Sequence, residues 1–232
     1  MKLIGLIGGL SWESTAEYYR LINRGAQAKL GGVHSARSLI HSLDFGEIEA
    51  MQHRGDWAGA TAAMIAAARS LERGGAGFLV ICSNTMHRMA GEVEAAVGIP
   101  LLHIADPTGA AIIAGGFKRV GLLGTAFTME QDFYRRRLEE EFGLEVIIPG
   151  AADRATVHEI IYRELVKGIV REPSRDAYRG VITRLIESGT EAIILGCTEI
   201  MLLVGAPDSA VPLFDTTTLH AEAALALALS AG

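Results

Sequence analysis

Short, unbroken apolar runs alternate with helical patterns along this chain. Runs read as strands are Lys2–Ile7, Ser38–Leu43, Gly77–Cys82, Leu101–Ile104, Val120–Leu123, Val146–Ile148, Ala192–Leu195 and Pro212–Phe214. Between them, 3–4 spacing of apolar residues predicts helices over Ser14–Ala28, Thr61–Arg73, Met129–Phe142, Thr156–Val170 and Ser174–Ser188. Runs that are apolar at every position suit strands buried on both faces, and their alternation with helices suits parallel sheets flanked by helices. The predicted fold class is therefore α/β.

The pattern repeats within the chain. Gly5-Leu6-Ile7-Gly8 resembles Gly121-Leu122-Leu123-Gly124 at an offset of 116, and the same offset places Tyr18 on Tyr134 and Arg20 on Arg136. Further on, the stretch from Leu71 to Ser83 parallels that from Leu185 to Cys197 at an offset of 114. Two matches in one order predict two pseudo-symmetric lobes. The first is expected over residues 1–106 with 208–232, the last segment returning to it through the strand Pro212–Phe214. The second is expected over 107–207. The repeat also makes Ser83 and Cys197 equivalent, each at the carboxyl end of a strand, where open α/β sheets place ligands. If the lobes face one another, the two side chains approach one cleft from opposite sides.

Charge and cysteine content narrow the function. With 21 Lys+Arg against 27 Asp+Glu, the formal net charge is −6. A nucleic-acid surface wants clustered positive charge, so no such partner is expected. At 232 residues, folding buries roughly 70–75% of the unfolded surface, enough for a core without a metal or disulfide staple. Two cysteines make no secreted-type disulfide framework and suit a reducing cytoplasm. The opening apolar run reads as a buried strand rather than a leader, and no run approaches the 18 apolar residues of a membrane span.

Two stretches carry candidate chemistry. In Cys82-Ser83-Asn84-Thr85-Met86-His87, a strand delivers Ser83 to polar residues and helix-opening amides, which attract carboxylates. Ser, Asn and Thr are also ordinary helix caps, and this stretch alone favours capping. In Gly196-Cys197-Thr198-Glu199, a cysteine at a strand end ahead of a helix is expected to have a lowered pKa, fit for a base or nucleophile. A buried, inert thiol accounts for it equally well. Cys82, among core-like neighbours and pointing away from Ser83's side, reads as packing. Lys167 ends a helical pattern before Gly168. Spacing alone favours a C-terminal cation there, with a carboxylate anchor as the alternative.

Other constellations are missing. The seven histidines show no metal-ligand spacing. There is no phosphate loop, and Gly5-x-x-Gly8-Gly9 is not a dinucleotide fingerprint. Arg135-Arg136-Arg137 is followed by Glu139-Glu140-Glu141 at i+4, which reads as a self-paired, solvated face.

The chain resembles the aspartate/glutamate racemase family over essentially its whole length. The resemblance rests on Ile4–Gly9, Ser83-Asn84-Thr85, Gly196-Cys197-Thr198-Glu199, Tyr162–Gly168 and Pro212–Thr217. It implies two α/β lobes with the active site in the cleft between them, cofactor-free racemisation of an acidic amino acid, and a homodimer. In the family, two thiols flank the substrate α-carbon, one removing a proton and the other returning one. Cys197 matches one of them, whereas Ser83 stands where the family has cysteine.

The implied binding residues are Asn84, Thr85 and Thr198 for the α-carboxylate and Lys167 for the acidic side chain. Gln52 stands where many members carry arginine. Leu10, Ser11, Thr125 and Thr128 are further polar or loop positions of the expected cleft. A serine hydroxyl is a far weaker acid than a thiol. An asymmetric enzyme is therefore expected, with turnover starting much faster from one enantiomer; by the family's geometry the resemblance implies that Cys197 takes the proton of the L-enantiomer, with Ser83 on the opposite face. The alternatives are a single-cysteine decarboxylase of malonate-type acids on the same scaffold, or an inactive amino-acid-binding protein.

Overall fold

The computed structural model describes residues 1–230; residues 231 and 232 of the expected first lobe lie outside the described residues. The chain forms two units, one of Met1–Ile104 with the chain from His220 onward, the other of Ala105–Leu219.

In the first unit, β1 (Ile4–Gly8) is followed by α1 (Trp12–Leu30), β2 (Ser38–Ser42), α2 (Phe45–Arg54), α3 (Trp57–Arg73), β3 (Phe78–Ile81), α4 (Ala90–Ala95) and β4 (Leu101–Leu102). The second carries α5 (Ala105–Ala114), β5 (Arg119–Gly124), α6 (Ala126–Glu130), α7 (Asp132–Phe142), β6 (Glu145–Ile147), α8 (Ala151–Arg163), α9 (Glu172–Glu187), β7 (Ala192–Gly196), α10 (Ile200–Leu203) and β8 (Leu213–Asp215). The last helix, α11 (Thr216–Leu229), starts in the second unit and continues in the first.

Each unit holds a four-stranded sheet, in the orders β2-β1-β3-β4 and β6-β5-β7-β8, and every strand pair is parallel. The second order is the first shifted by four strands, as a duplicated unit requires. Strand alternation divides the first unit's core into two layers. Ile7, Leu79 and Ile81 pack with Met64, Ala68 and Leu71 of α3. Ile4, Leu6, Phe78, Val80 and Cys82 face Tyr18 and Ile22 of α1, together with Ala221, Ala224, Leu225 and Ala228 of α11.

Several boundaries differ from expectation. The division falls after Ile104 and after Leu219, rather than at 106 and 207. The expected return of Pro212–Phe214 to the first lobe does not occur: β8 pairs with β7, Ile194 opposite Phe214. It is the fourth strand that the repeat demands of the second sheet, and only the apolar helix after it joins the first unit. The expected helix Met129–Phe142 breaks at Gln131, whose backbone is extended. The expected Thr156–Val170 helix ends at Arg163, followed by a 3₁₀ turn, Leu165–Lys167, which Gly168 closes with a left-handed φ of 68°.

Candidate active site

In both units the central strand ends on a glycine. Gly124 lies directly beside Gly196 in the β5–β7 register. In the first unit Ile7 lies beside Ile81, and the amide of Cys82 donates to the Ile7 carbonyl at 3.0 Å, so Gly8 comes level with Cys82. One residue further along are Ser83 and Cys197. The strand registers thus place the two at equivalent positions of their sheets.

The first unit gathers six of the predicted residues around the carboxyl ends of β1 and β3. Ser11 caps α1, its hydroxyl oxygen accepting from the Ser14 amide at 3.2 Å. It holds a φ of 140°, the only positive φ outside glycine among the described residues. Such a backbone is strained in any residue with a Cβ. The Ser14 hydroxyl donates to the Cys82 carbonyl at 2.9 Å, tying this loop to the peptide that precedes Ser83. Leu10 is buried in the apolar layer with Ile7 and Ile81. Gln52, buried at the end of α2, points its amide nitrogen at Met86 Sδ, 3.2 Å away. Asn84 and Thr85 are buried beside half-buried Ser83. The Ser83 hydroxyl oxygen accepts from the Met86 amide at 3.4 Å, so its capping role is present in the fold.

The second unit gathers the other five. Thr125 caps α6, its hydroxyl oxygen accepting from the Thr128 amide at 3.2 Å. Thr128 covers the paired glycines: a Cβ on Gly124 would come within 3.2 Å of the Thr128 Cβ. The Thr198 hydroxyl donates to Glu199 Oε2 at 2.7 Å, and Cys197 Sγ lies 3.1 Å from the same oxygen. Lys167 is exposed at the end of its 3₁₀ turn, and that turn packs against α10, the helix that follows the Cys197 loop.

The two thiols differ in setting. Cys82 is fully buried in the α1-facing layer, and burial raises its pKa far above the ordinary thiol value. It is packing, as its neighbours indicated. For Cys197 the expectation of a lowered pKa is reversed. Only 7% of the residue is exposed. Burial raises its pKa well above the usual range, and the Glu199 carboxylate pushes it further. The helix expected to lower it is the single turn Ile200–Leu203, too short to present a strong dipole. What Cys197 has instead of a stabilised thiolate is a carboxylate within proton-transfer distance.

Comparison with known proteins places this arrangement. The pattern of the Asp/Glu/Hydantoin racemase family matches residues 7–224. The chain belongs to that family. A candidate Asp/Glu racemase from Yersinia pestis is 55% identical, with a TM-score of 0.91 over 99% of this chain and 100% of that one. An aspartate racemase homologue from Pyrococcus horikoshii OT3 is 34% identical, with a TM-score of 0.84 over 98% and 99% of the two chains. The broad specificity amino-acid racemase RacX of Bacillus subtilis (strain 168) is 26% identical over 172 residues, 72% of each chain. The protein is therefore an amino-acid racemase, an isomerase, with the two-sheet fold of its family.

Three residues of this racemase escaped the sequence reading. His87 joins two segments of the first unit: its Nδ1 lies 2.7 Å from the Ser83 carbonyl, and its Nε2 accepts from the Ile104 amide at 3.1 Å. A ring nitrogen that accepts a backbone N–H leaves the other to carry the proton, so the neutral Nδ1–H tautomer is fixed. Its place four residues after Ser83 was the available signal. In the sequence Glu199 stands only as the end of the stretch that carries Cys197. Tyr178, fully buried with its hydroxyl donating to the Val157 carbonyl at 3.3 Å, has its pKa raised by burial and then by Cys197 and Glu199. No local pattern marks Tyr178, because its neighbours are distant in sequence. Among the described residues no group of three His, Cys, Asp or Glu side chains is arranged to hold a metal ion, and no helix is long and apolar enough to cross a membrane.

Proposed function

We propose that the protein racemises an acidic amino acid without a cofactor, with Cys197 as the α-proton base and Ser83 acting on the opposite face of the substrate. The observation that carries this reading is the contact between Cys197 Sγ and Glu199 Oε2 at 3.1 Å. A buried thiol is a poor base until its proton has somewhere to go. Here the proton passes from sulfur to the carboxylate, and the resulting thiolate takes the α-hydrogen of the substrate. The electron pair of the broken C–H bond stays on the α-carbon, delocalised into the α-carboxylate. Ser83 delivers its hydroxyl proton to the other face and regains one from water; the proton held on Glu199 neutralises the hydroxide left behind, and Cys197 keeps the α-proton as its thiol.

Substrate charges suit the residues around these groups. Asn84, Thr85 and the amide of Thr198 bind the α-carboxylate; the Thr198 hydroxyl already donates to Glu199. Lys167 meets the side-chain carboxylate. Gln52, in place of a second cation, keeps the site from excluding either aspartate or glutamate by charge. Leu10, Ser11, Thr125 and Thr128 shape the floor on which these groups sit.

The Ser83 hydroxyl bonds the Met86 amide and no carboxylate among the described residues, so it donates a proton but is a weak base. Two enantiomers have equal free energy, so kcat/KM is the same in both directions. The asymmetry therefore shows in proton exchange. In deuterated water, α-deuterium enters the L-aspartate pool, through Cys197 alone, faster than inversion produces the D-form, while D-aspartate exchanges no faster than it inverts. Equal, fast exchange into both pools overturns the asymmetry, and a Cys197→Ala variant that keeps its activity overturns the assignment. Ser83→Cys is expected to raise the inversion rate. Carbon dioxide release from disubstituted malonates, with no exchange on amino acids, would replace the racemase reading with the decarboxylase one.

A further inference from the structure

Ser83 stands between two regular elements. β3 ends at Ile81, the Cys82 amide still bonds the Ile7 carbonyl, and the 3₁₀ turn Thr85–Met89 begins two residues after Ser83. The peptides on either side of Ser83 are each held by a side chain. The carbonyl of the peptide before it, that of Cys82, accepts from the Ser14 hydroxyl at 2.9 Å. The carbonyl of the peptide after it, that of Ser83 itself, accepts from His87 Nδ1 at 2.7 Å. A residue has two soft backbone torsions, so holding the peptide planes on both sides fixes them and the direction of its Cα–Cβ bond. The Met86 amide, 3.4 Å from the hydroxyl oxygen, holds the side-chain torsion that remains.

Both holders are themselves held. The Ser14 amide donates to the Ser11 hydroxyl oxygen at 3.2 Å in the first turn of α1. His87 Nε2 accepts from the Ile104 amide at 3.1 Å. A second imidazole steadies the segment that supplies this amide. His220 Nε2 donates to the Leu102 carbonyl at 2.9 Å, and its Nδ1 accepts from the Tyr18 hydroxyl at 2.7 Å. The rings of His103 and His220 stand edge-on to His87, with centroids 4.6 and 5.7 Å away. All these side chains are buried. Packing alone does not call for imidazole here, because an apolar ring would fill the space with no polar atoms to satisfy. What imidazole adds is a donor toward Ser83 and an acceptor toward Ile104 on one rigid ring.

We infer that Ser14 and His87 are positioning residues for inversion, clamping the peptides on either side of Ser83 so that its hydroxyl stays aimed for proton delivery. The inference rests on the proposed role of Ser83. Neither residue touches substrate or moves a proton in it.

Amide side chains separate the two ends of the His87 ring. His87→Asn keeps a donor near the Nδ1 position, and His87→Gln keeps an acceptor near Nε2. In deuterated water with L-aspartate, α-deuterium entering the L-form reports Cys197, and formation of D-aspartate reports Ser83 as well. His87→Gln and Ser14→Ala are each expected to slow inversion by about 10–100-fold and to leave exchange into L-aspartate unchanged. His87→Asn is expected to invert at close to the wild-type rate, with a lower melting temperature from the lost Ile104 bond. A merely structural role moves exchange and inversion together, so parallel losses in His87→Gln or Ser14→Ala overturn the inference. So does wild-type inversion in either, or His87→Asn inverting as slowly as His87→Gln. Circular dichroism checks the fold, and Ser14→Ala decides where His87→Gln does not fold. Ser83→Ala separates this failure from a failure of the proposed function, because it is expected to lose at least about 100-fold in inversion. Wild-type inversion in Ser83→Ala overturns that reading and the inference with it. Clamp variants that invert normally beside a Ser83→Ala chain that does not overturn the inference alone.

Discussion

The Cys197 thiol and the Glu199 carboxylate share a hydrogen bond, Sγ to Oε2 at 3.1 Å, in a site that leaves 7% of the cysteine exposed. The bond holds the thiol's proton and raises its pKa, yet offers that proton a place to go. Glu199→Gln separates the two effects. Without the negative charge the thiol pKa falls, so alkylation by iodoacetamide at a fixed pH speeds up. Without the proton acceptor, turnover falls by at least about 100-fold, the usual scale for a lost general base. Slower alkylation in the variant, or unchanged turnover, would remove Glu199 from the proton path. In the wild type, alkylation of Cys197 is expected to keep rising with pH beyond the ordinary thiol value of about 8.5.

The second cysteine provides an internal control. Cys82 is fully buried and its pKa is also raised, but it faces α1 and α11 rather than a carboxylate. It should stay unlabelled until the protein unfolds. Cys82→Ala is expected to cost about 1–2 kcal/mol of stability from the small cavity and to leave turnover unchanged. Equilibrium denaturation and steady-state rates check the two halves separately.

Two glycines set how closely β5 and β7 approach below Cys197. A Cβ on Gly196 would lie 2.8 Å from the Leu123 carbonyl oxygen and 2.8 Å from Leu122 Cδ1. Backbone cannot yield as a side chain can, so Gly196→Ala is expected to destabilise by about 1–3 kcal/mol. It should also lower turnover, because the strand end that carries Cys197 must shift. Gly150→Ala, where the added methyl meets nothing within 4 Å and only the cap of α8 changes, is the matched control: it should leave turnover unchanged and cost less stability than Gly196→Ala.

The sequence made the architecture legible wherever a local pattern reports a local cause. Fully apolar runs gave the sheets, and the offset between Gly5–Gly8 and Gly121–Gly124 pointed to two related units, whose sheets share one strand order. Strand positions likewise separated Cys82 from the residue that follows it. What sequence could not supply were effects set by distant neighbours. The expected lowering of the Cys197 pKa assumed a helix and solvent, and the fold supplies one helical turn and burial. The fate of Pro212–Phe214 depended on which sheet lacked a fourth strand, a fact about pairing rather than composition. Tyr178 and His87 bond the backbone of residues 21 and 17 positions away.

Two carboxylates held by backbone amides, exposed Glu191 and the largely buried Asp208, contribute to the acid stability of the second unit. Glu191 accepts from the amides of Arg119 and Lys118 at 3.0 and 2.8 Å, and these bonds hold its pKa below the usual carboxylate range. Asp208 accepts from the Gly205 amide at 2.8 Å and from Arg179 at 2.6 Å, and its pKa is lowered in the same way. A carboxylate with a lowered folded-state pKa binds fewer protons folded than unfolded, so stability rises with pH through that window. The contribution is fully present above the unfolded value of about 4 and is lost as pH falls through the folded values. Thermal midpoints should therefore drop from pH 5 downward more steeply in the wild type than in Glu191→Gln or Asp208→Asn. At pH 7 both variants are expected to melt below the wild type, and the gap should close toward pH 2. A gap that persists unchanged at pH 2 would mean that these side chains act through packing rather than charge.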